Sequence, residues 1–151
     1  MNTERVLIAQ FCDDVRQEIG NKISLIGCYG SELLVESLPA VLPKLCAQIK
    51  LLIPKERPLE RAALRALLNG ESLGEIEIPV LQLNTKINSF EDDDASRLTY
   101  GAIMTFSPFV IEKEGTLQLV AETESGPTKG TRLKLLLAKT YEDAQRRSAQ
   151  P

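Results

Sequence analysis

Apolar residues recur at every second position along most of this chain, and that period limits its fold more than any other feature. Glu75-Ile76-Glu77-Ile78 alternates without a fault. Leu117, Leu119 and Ala121 share one side of their segment, while Leu133, Leu135 and Leu137 share one side of theirs, opposite Arg132 and Lys134. From Leu98 to Phe106 the larger residues fall mainly on even positions. Successive side chains of a strand point to opposite faces, so this pattern predicts half-buried antiparallel strands with one face on a core.

The turn residues agree. Asn69-Gly70 separates Ala63–Leu68 from Leu73–Ile78, and Asn-Gly readily takes the positive φ angles of a tight hairpin. Glu124-Ser125-Gly126-Pro127 and Lys113-Glu114-Gly115 divide the later runs, and Asn21-Lys22 follows the opening one. About eight strands are expected, near 5–14, 22–36, 44–53, 62–69, 72–80, 97–106, 116–123 and 131–138. The segment Pro58 to Leu68 has helix formers and could be helical, but the Asn-Gly turn after it favours a hairpin. The fold class expected is therefore all-β: a single-domain antiparallel β-sandwich, immunoglobulin- or C2-like. It should occupy residues 1–138, with 139–151 a polar tail that is a frayed helix or disordered. At 151 residues the chain suits one domain able to bury a core without staples.

Composition narrows the chemistry. The chain has no His, which excludes Ser-His-Asp and Cys-His catalysis and His-ligated metals. Lys and Arg number 18 against 21 Asp and Glu, and no basic run exceeds Arg146-Arg147, so nucleic acid is not an expected partner. The apolar start Val6–Ala9 is too short for a signal-peptide core or a membrane span. Three cysteines, Cys12, Cys28 and Cys46, form no CxxC pair and do not read as a disulfide framework or zinc site; Cys12 and Cys28 sit in apolar runs and read as small buried hydrophobes, in a reducing cytoplasm. No GxGxxG or P-loop pattern occurs among the glycines, and no cofactor is expected.

The most distinctive stretch runs from Phe11 to Gly30. It contains Cys12-Asp13-Asp14-Val15-Arg16-Gln17-Glu18, then Lys22, then Ile26-Gly27-Cys28-Tyr29-Gly30. It resembles the opening of an uncharacterised bacterial protein family, with chromosomal or phage-borne members, that reads Cys-Asp-Asp, Arg, Glu, Lys, then Ile-Gly-x-Tyr-Gly. Phe106-Ser107-Pro108-Phe109 and Gly115-Thr116-Leu117-Gln118-Leu119 look like that family's closing hairpin, with Leu117 where an aromatic is commoner. The resemblance implies a β-sandwich and a cytoplasmic protein, and no activity.

Asp13, Asp14, Arg16, Glu18 and Lys22 form the main polar cluster. On a strand, Asp14, Arg16 and Glu18 share a face and Asp13 takes the other. Such a row is either a structural network with Arg16 bridging two acids or a site for a polar ligand or cation. Glu91-Asp92-Asp93-Asp94 is read as a solvated acidic loop, with Ca²⁺ binding as the alternative. Phe90 and Phe109 are either end-caps of the sandwich or anchors for a partner. Leu133 to Ala138 is a candidate edge strand for a homodimer. The expected function is non-enzymatic: a protein-interaction module that binds an unidentified protein partner through loops or an edge strand, with no membrane involvement. The alternative is a small carboxylate- or divalent-cation-dependent enzyme using Asp13, Asp14 and Glu18 or the acids at 91–94.

Overall fold

Because the apolar period is two, nearly every segment with that pattern becomes a strand. The computed structural model describes residues 4–89 and 97–150. They form β1 (Val6–Glu18), β2 (Lys22–Cys28), β3 (Glu32–Val35), β4 (Ala40–Leu42), β5 (Leu45–Pro54), β6 (Ala62–Leu68) and β7 (Glu71–Glu77). Helix α1 (Val80–Ser89) follows, then β8 (Arg97–Phe106), β9 (Phe109–Ile111), β10 (Gly115–Thr123), β11 (Gly126–Leu137) and helix α2 (Ala138–Ser148).

One sheet has the order β2-β1-β5-β8, a second has β3-β11-β10-β6-β7, and β4 pairs with β9 separately. Every pairing is antiparallel except that of β3 with β11. The core lies between the two large sheets. β5 contributes Leu45, Ala47, Ile49, Leu51 and Ile53, and β1 contributes Leu7 and Phe11. From the second sheet come Leu64 and Ala66, then Leu117, Leu119 and Ala121, then Leu133 and Leu135. Each fully buried Leu, Ile or Phe stabilises the fold by roughly 1.5–3 kcal/mol relative to an exposed one, so this face drives assembly. The chain is an all-β sandwich.

Asn69 and Gly70 have φ of 51° and 87°, the pair of positive values that the β6–β7 hairpin requires. Pro58 to Leu68 is accordingly not a helix: its second half is β6. Arg5 is buried and ties distant segments together. Its guanidinium donates to the carbonyls of Arg57 and Pro58, to Thr123 Oγ1 at 3.1 Å and to Glu124 Oε1 at 2.5 Å. Partial burial pushes the Glu124 carboxyl up, but the bond and charge of Arg5 and the backbone hydrogen bonds of Glu124 and Glu60 together outweigh it and hold that group below its ordinary range.

Several expectations are revised. The segment expected as one strand over 22–36 divides into β2 and β3, which join different sheets. Gly27 within β2 and Gly30 between the two strands interrupt the alternation there. That division, with short β4 and β9, raises the strand number from about eight to eleven among the described residues. Of the two alternatives for the polar tail, the structure has the helical one: Ala138–Ser148 is helix α2, with no buried residue. Leu133 to Leu137 is not an edge, because β11 lies between β10 and β3. Phe109 is 3% exposed and its ring centroid lies 5.9 Å from that of Phe106, so it fills the core and presents no anchor. Phe90 and the acids at 91–94 lie outside the described residues. Among those described, no helix is long and apolar enough to cross a membrane.

Candidate functional site

The distinctive opening stretch becomes a hairpin arm. Residues 6–12 of β1 pair with β5, whereas from Asp14 to Glu18 β1 pairs with β2 alone. No residue from 13 to 28 is buried. The turn is Ile19-Gly20-Asn21, with Gly20 and Asn21 at φ of 90° and 57°, and Ile19 is 95% exposed.

A straight ribbon would carry this tip about 20 Å beyond Cys12, at roughly 3.3 Å per residue. Instead Asn21, Lys22 and Ile23 share a groove of about 640 Å³ with Gln48, Gly101, Ala102 and Ile103. The arm therefore curls over the outward face of its own sheet. Gly27 sits in the strand where it curls, at φ of 66°. A Cβ there would lie 2.2 Å from Asp13 Oδ2, so only glycine leaves room for the carboxylate above it. Beside it, Tyr29 Oη donates to Asp13 Oδ1 at 2.5 Å. Burial and this carboxylate push the Tyr29 phenol up to about 12.

The other acids go elsewhere. Lys44, just before β5, donates to Asp14 Oδ1 at 2.6 Å. That bond holds the Asp14 carboxyl below its ordinary range and the Lys44 ammonium above its own. Arg16 Nε donates to Glu18 Oε1 at 2.7 Å, and Ser24 Oγ donates to the same oxygen at 2.9 Å. Lys22 stands opposite Glu18 in register. The expected row is thus three separate pairs: Arg16 reaches Glu18 and not Asp14, and Asp13 faces the other side. Carboxylates so divided do not converge, and among the described residues no three His, Cys, Asp or Glu side chains gather as a cation cage. Both Asp14–Lys44 and Arg16–Glu18 are solvent-exposed pairs, worth little to stability. They orient the arm's polar face.

Three further residues belong to this site. Tyr29 and Gly27 stand within the motif, but their contact with Asp13 depends on the β1–β2 register. Lys44 depends on the β1–β5 register, which no local pattern announces. The cysteines also part company. Cys12 is fully buried and Cys46 is 1% exposed, while Cys28 is exposed, contrary to the expectation of a buried hydrophobe.

A family model matches residues 7–136, nearly the whole sandwich and all of the arm. The chain belongs to DUF6941, a family of unknown function. No curated protein and no solved structure matches it. This DUF6941 chain therefore takes its functional reading from its own geometry.

Proposed function

We propose that this chain is a non-enzymatic protein-interaction module that binds another protein along strand β2 of the curled arm. The observation that carries the reading is the state of that edge. β2 pairs with β1 on one side and with no described strand on the other. From Ile23 to Cys28 it carries no charge. An unpaired, uncharged edge is a template for an added strand, and natural sheets usually guard such edges with charge, proline or a cover. Extended peptides exploit this route: main-chain hydrogen bonds supply affinity and alternate side chains supply specificity. Ile23 and Ile26 are exposed there and could enter a partner's pockets. Presentation of edges and loops by a rigid sandwich is how immunoglobulin- and C2-like domains work, and the same use is inferred here. The reading places the protein in the cytoplasm, since an odd number of cysteines with no CxxC pair does not read as the disulfide framework of a secreted domain.

The test is capture from host extract with tagged wild-type chain and with Ile26→Lys, which adds an edge-guarding charge at an exposed position. Wild type should retain a defined protein that slows amide exchange of residues 23–28, and the variant should lose at least about 90% of it. Failure to retain any protein above background, or equal retention by both chains, would overturn the proposal.

A further inference from the structure

The three cysteines, scattered over 35 positions of sequence, lie side by side in the folded sheet. Cys12 on β1 is the register partner of Cys28 on β2 and also of Cys46 on β5. All three stand in one row across the strands, on the face turned away from the core that holds Leu7, Phe11, Leu45 and Ala47.

The two neighbours of Cys12 are not equivalent. Tyr29 N–H donates to the Phe11 carbonyl at 2.9 Å, so the backbone of Phe11 points toward β2 and that of Cys12 toward β5. Cys12 and Cys28 are therefore a non-hydrogen-bonded pair, the kind whose Cα atoms approach to about 4.5 Å. That separation lies within the span a disulfide bridges, roughly 4.4–6.8 Å. The Cys12/Cys46 pair is the wider, hydrogen-bonded kind, at about 5.5 Å, which a disulfide also spans, so exposure and contacts rather than distance separate the two. Cys46 Sγ is also engaged, 4.0 Å from the Asp13 carbonyl and 3.8 Å from Thr105 Oγ1. Cys28 alone is open to solvent.

We propose that Cys28 and Cys12 are a thiol-oxidation site that takes low-molecular-weight disulfides of the glutathione class and closes to a disulfide between β2 and β1. The Cys28 thiolate attacks one sulfur of the small disulfide, forming a mixed disulfide and expelling one small thiolate. The Cys12 thiolate then attacks the Cys28 sulfur, and the second small thiolate leaves. The two cysteines are oxidised by two electrons, the small disulfide is reduced by two, and the two thiol protons end on the released thiols. Cys12 needs no opening of the fold, because its attack runs along the sheet to its register partner. Burial first, then the charges of nearby Cys46, Cys28 and Asp13, push its thiol up to about 11. The second step is therefore slow at neutral pH and is run above it. The site rests on register and exposure alone and stands whatever the arm binds.

The full chain is incubated at pH 8.5 with oxidised glutathione, then denatured, alkylated and digested with trypsin. Cleavage after Arg5, Arg16, Lys22, Lys44 and Lys50 places the three cysteines on three different peptides. The expected result is one alkylated thiol in place of three, with the Cys12 and Cys28 peptides linked within a monomer. Cys46→Ala should still form that link. Exposed Cys28→Ser, checked for fold by circular dichroism, should keep both remaining thiols. Three free thiols, a glutathione adduct on Cys28 that goes no further, a Cys12–Cys46 link or a Cys28–Cys28 dimer would each overturn the proposal.

Discussion

Two long hairpins of this protein, β1–β2 and β10–β11, carry similar alternating sequences and meet opposite fates. In β10–β11, Leu117, Leu119, Ala121, Leu133 and Leu135 are all buried, and each strand has a neighbour on both sides. In the arm, Val15 faces Leu25 and Gln17 faces Ile23, yet none of them is buried. The difference lies in lateral company. β10 is flanked by β6 and β11 and covered by the opposite sheet, whereas the outer half of β1 has left β5 and retains β2 alone. Alternation thus reports that a strand has two unlike faces. It does not report whether another layer covers the apolar one.

The sharpest way to break this contrast is truncation on each hairpin. Leu119→Ala should cost about 2–5 kcal/mol, as for other fully buried leucines. Leu25→Ala should cost less than about 1 kcal/mol, since little surface is lost from contact. Chemical denaturation of both variants checks this, and equal losses would mean that the arm is packed as firmly as the core.

Alkaline titration probes the base of the arm as a whole. Cys12 is held at about 11 against an ordinary 9, and Tyr29 at about 12 against 10. In both groups the folded state keeps a proton that the unfolded chain releases first, so stability falls as pH rises, from 9 through 11 for Cys12 and from 10 through 12 for Tyr29. For Cys12 the loss should reach about 2–3 kcal/mol, measured as a falling denaturation midpoint. Cys12→Ala should remove that component while leaving the part due to Tyr29.

A smaller effect is expected where the arm curls. Gly27→Ala must take a positive φ and displace the Asp13 carboxylate from Tyr29, at a cost of about 1–2 kcal/mol. Ultraviolet titration should then show the Tyr29 phenol returning toward 10. An unchanged phenol would separate the glycine from the Tyr29–Asp13 bond.

The sandwich was largely legible because its signals are local: period-two runs, Asn69-Gly70, and a glycine at 126. Losses came where local signals stop. β3 and β4 are too short to show a period, and the division of 22–36 between sheets is a matter of long-range pairing. The cluster at 13–22 was recognisable by residue type, but its wiring was not. Asp14 meets Lys44, 30 positions on, and Asp13 meets Tyr29, 16 positions on, through registers set by the whole sheet. Phe109 follows a proline and looked loop-like, yet three residues paired with β4 suffice to turn it inward.

The buried Arg5 has a kinetic consequence. Its partners lie 52, 53, 118 and 119 residues away, so its charge can be satisfied only after both the 57–58 carbonyls and the β10–β11 turn exist. During synthesis, β1 emerges first and waits for most of the chain before that end of it can close. Folds dominated by such distant contacts assemble in milliseconds to seconds rather than microseconds. Throughout that wait, the same strand that later bears the arm stays open to other chains on the ribosome's doorstep.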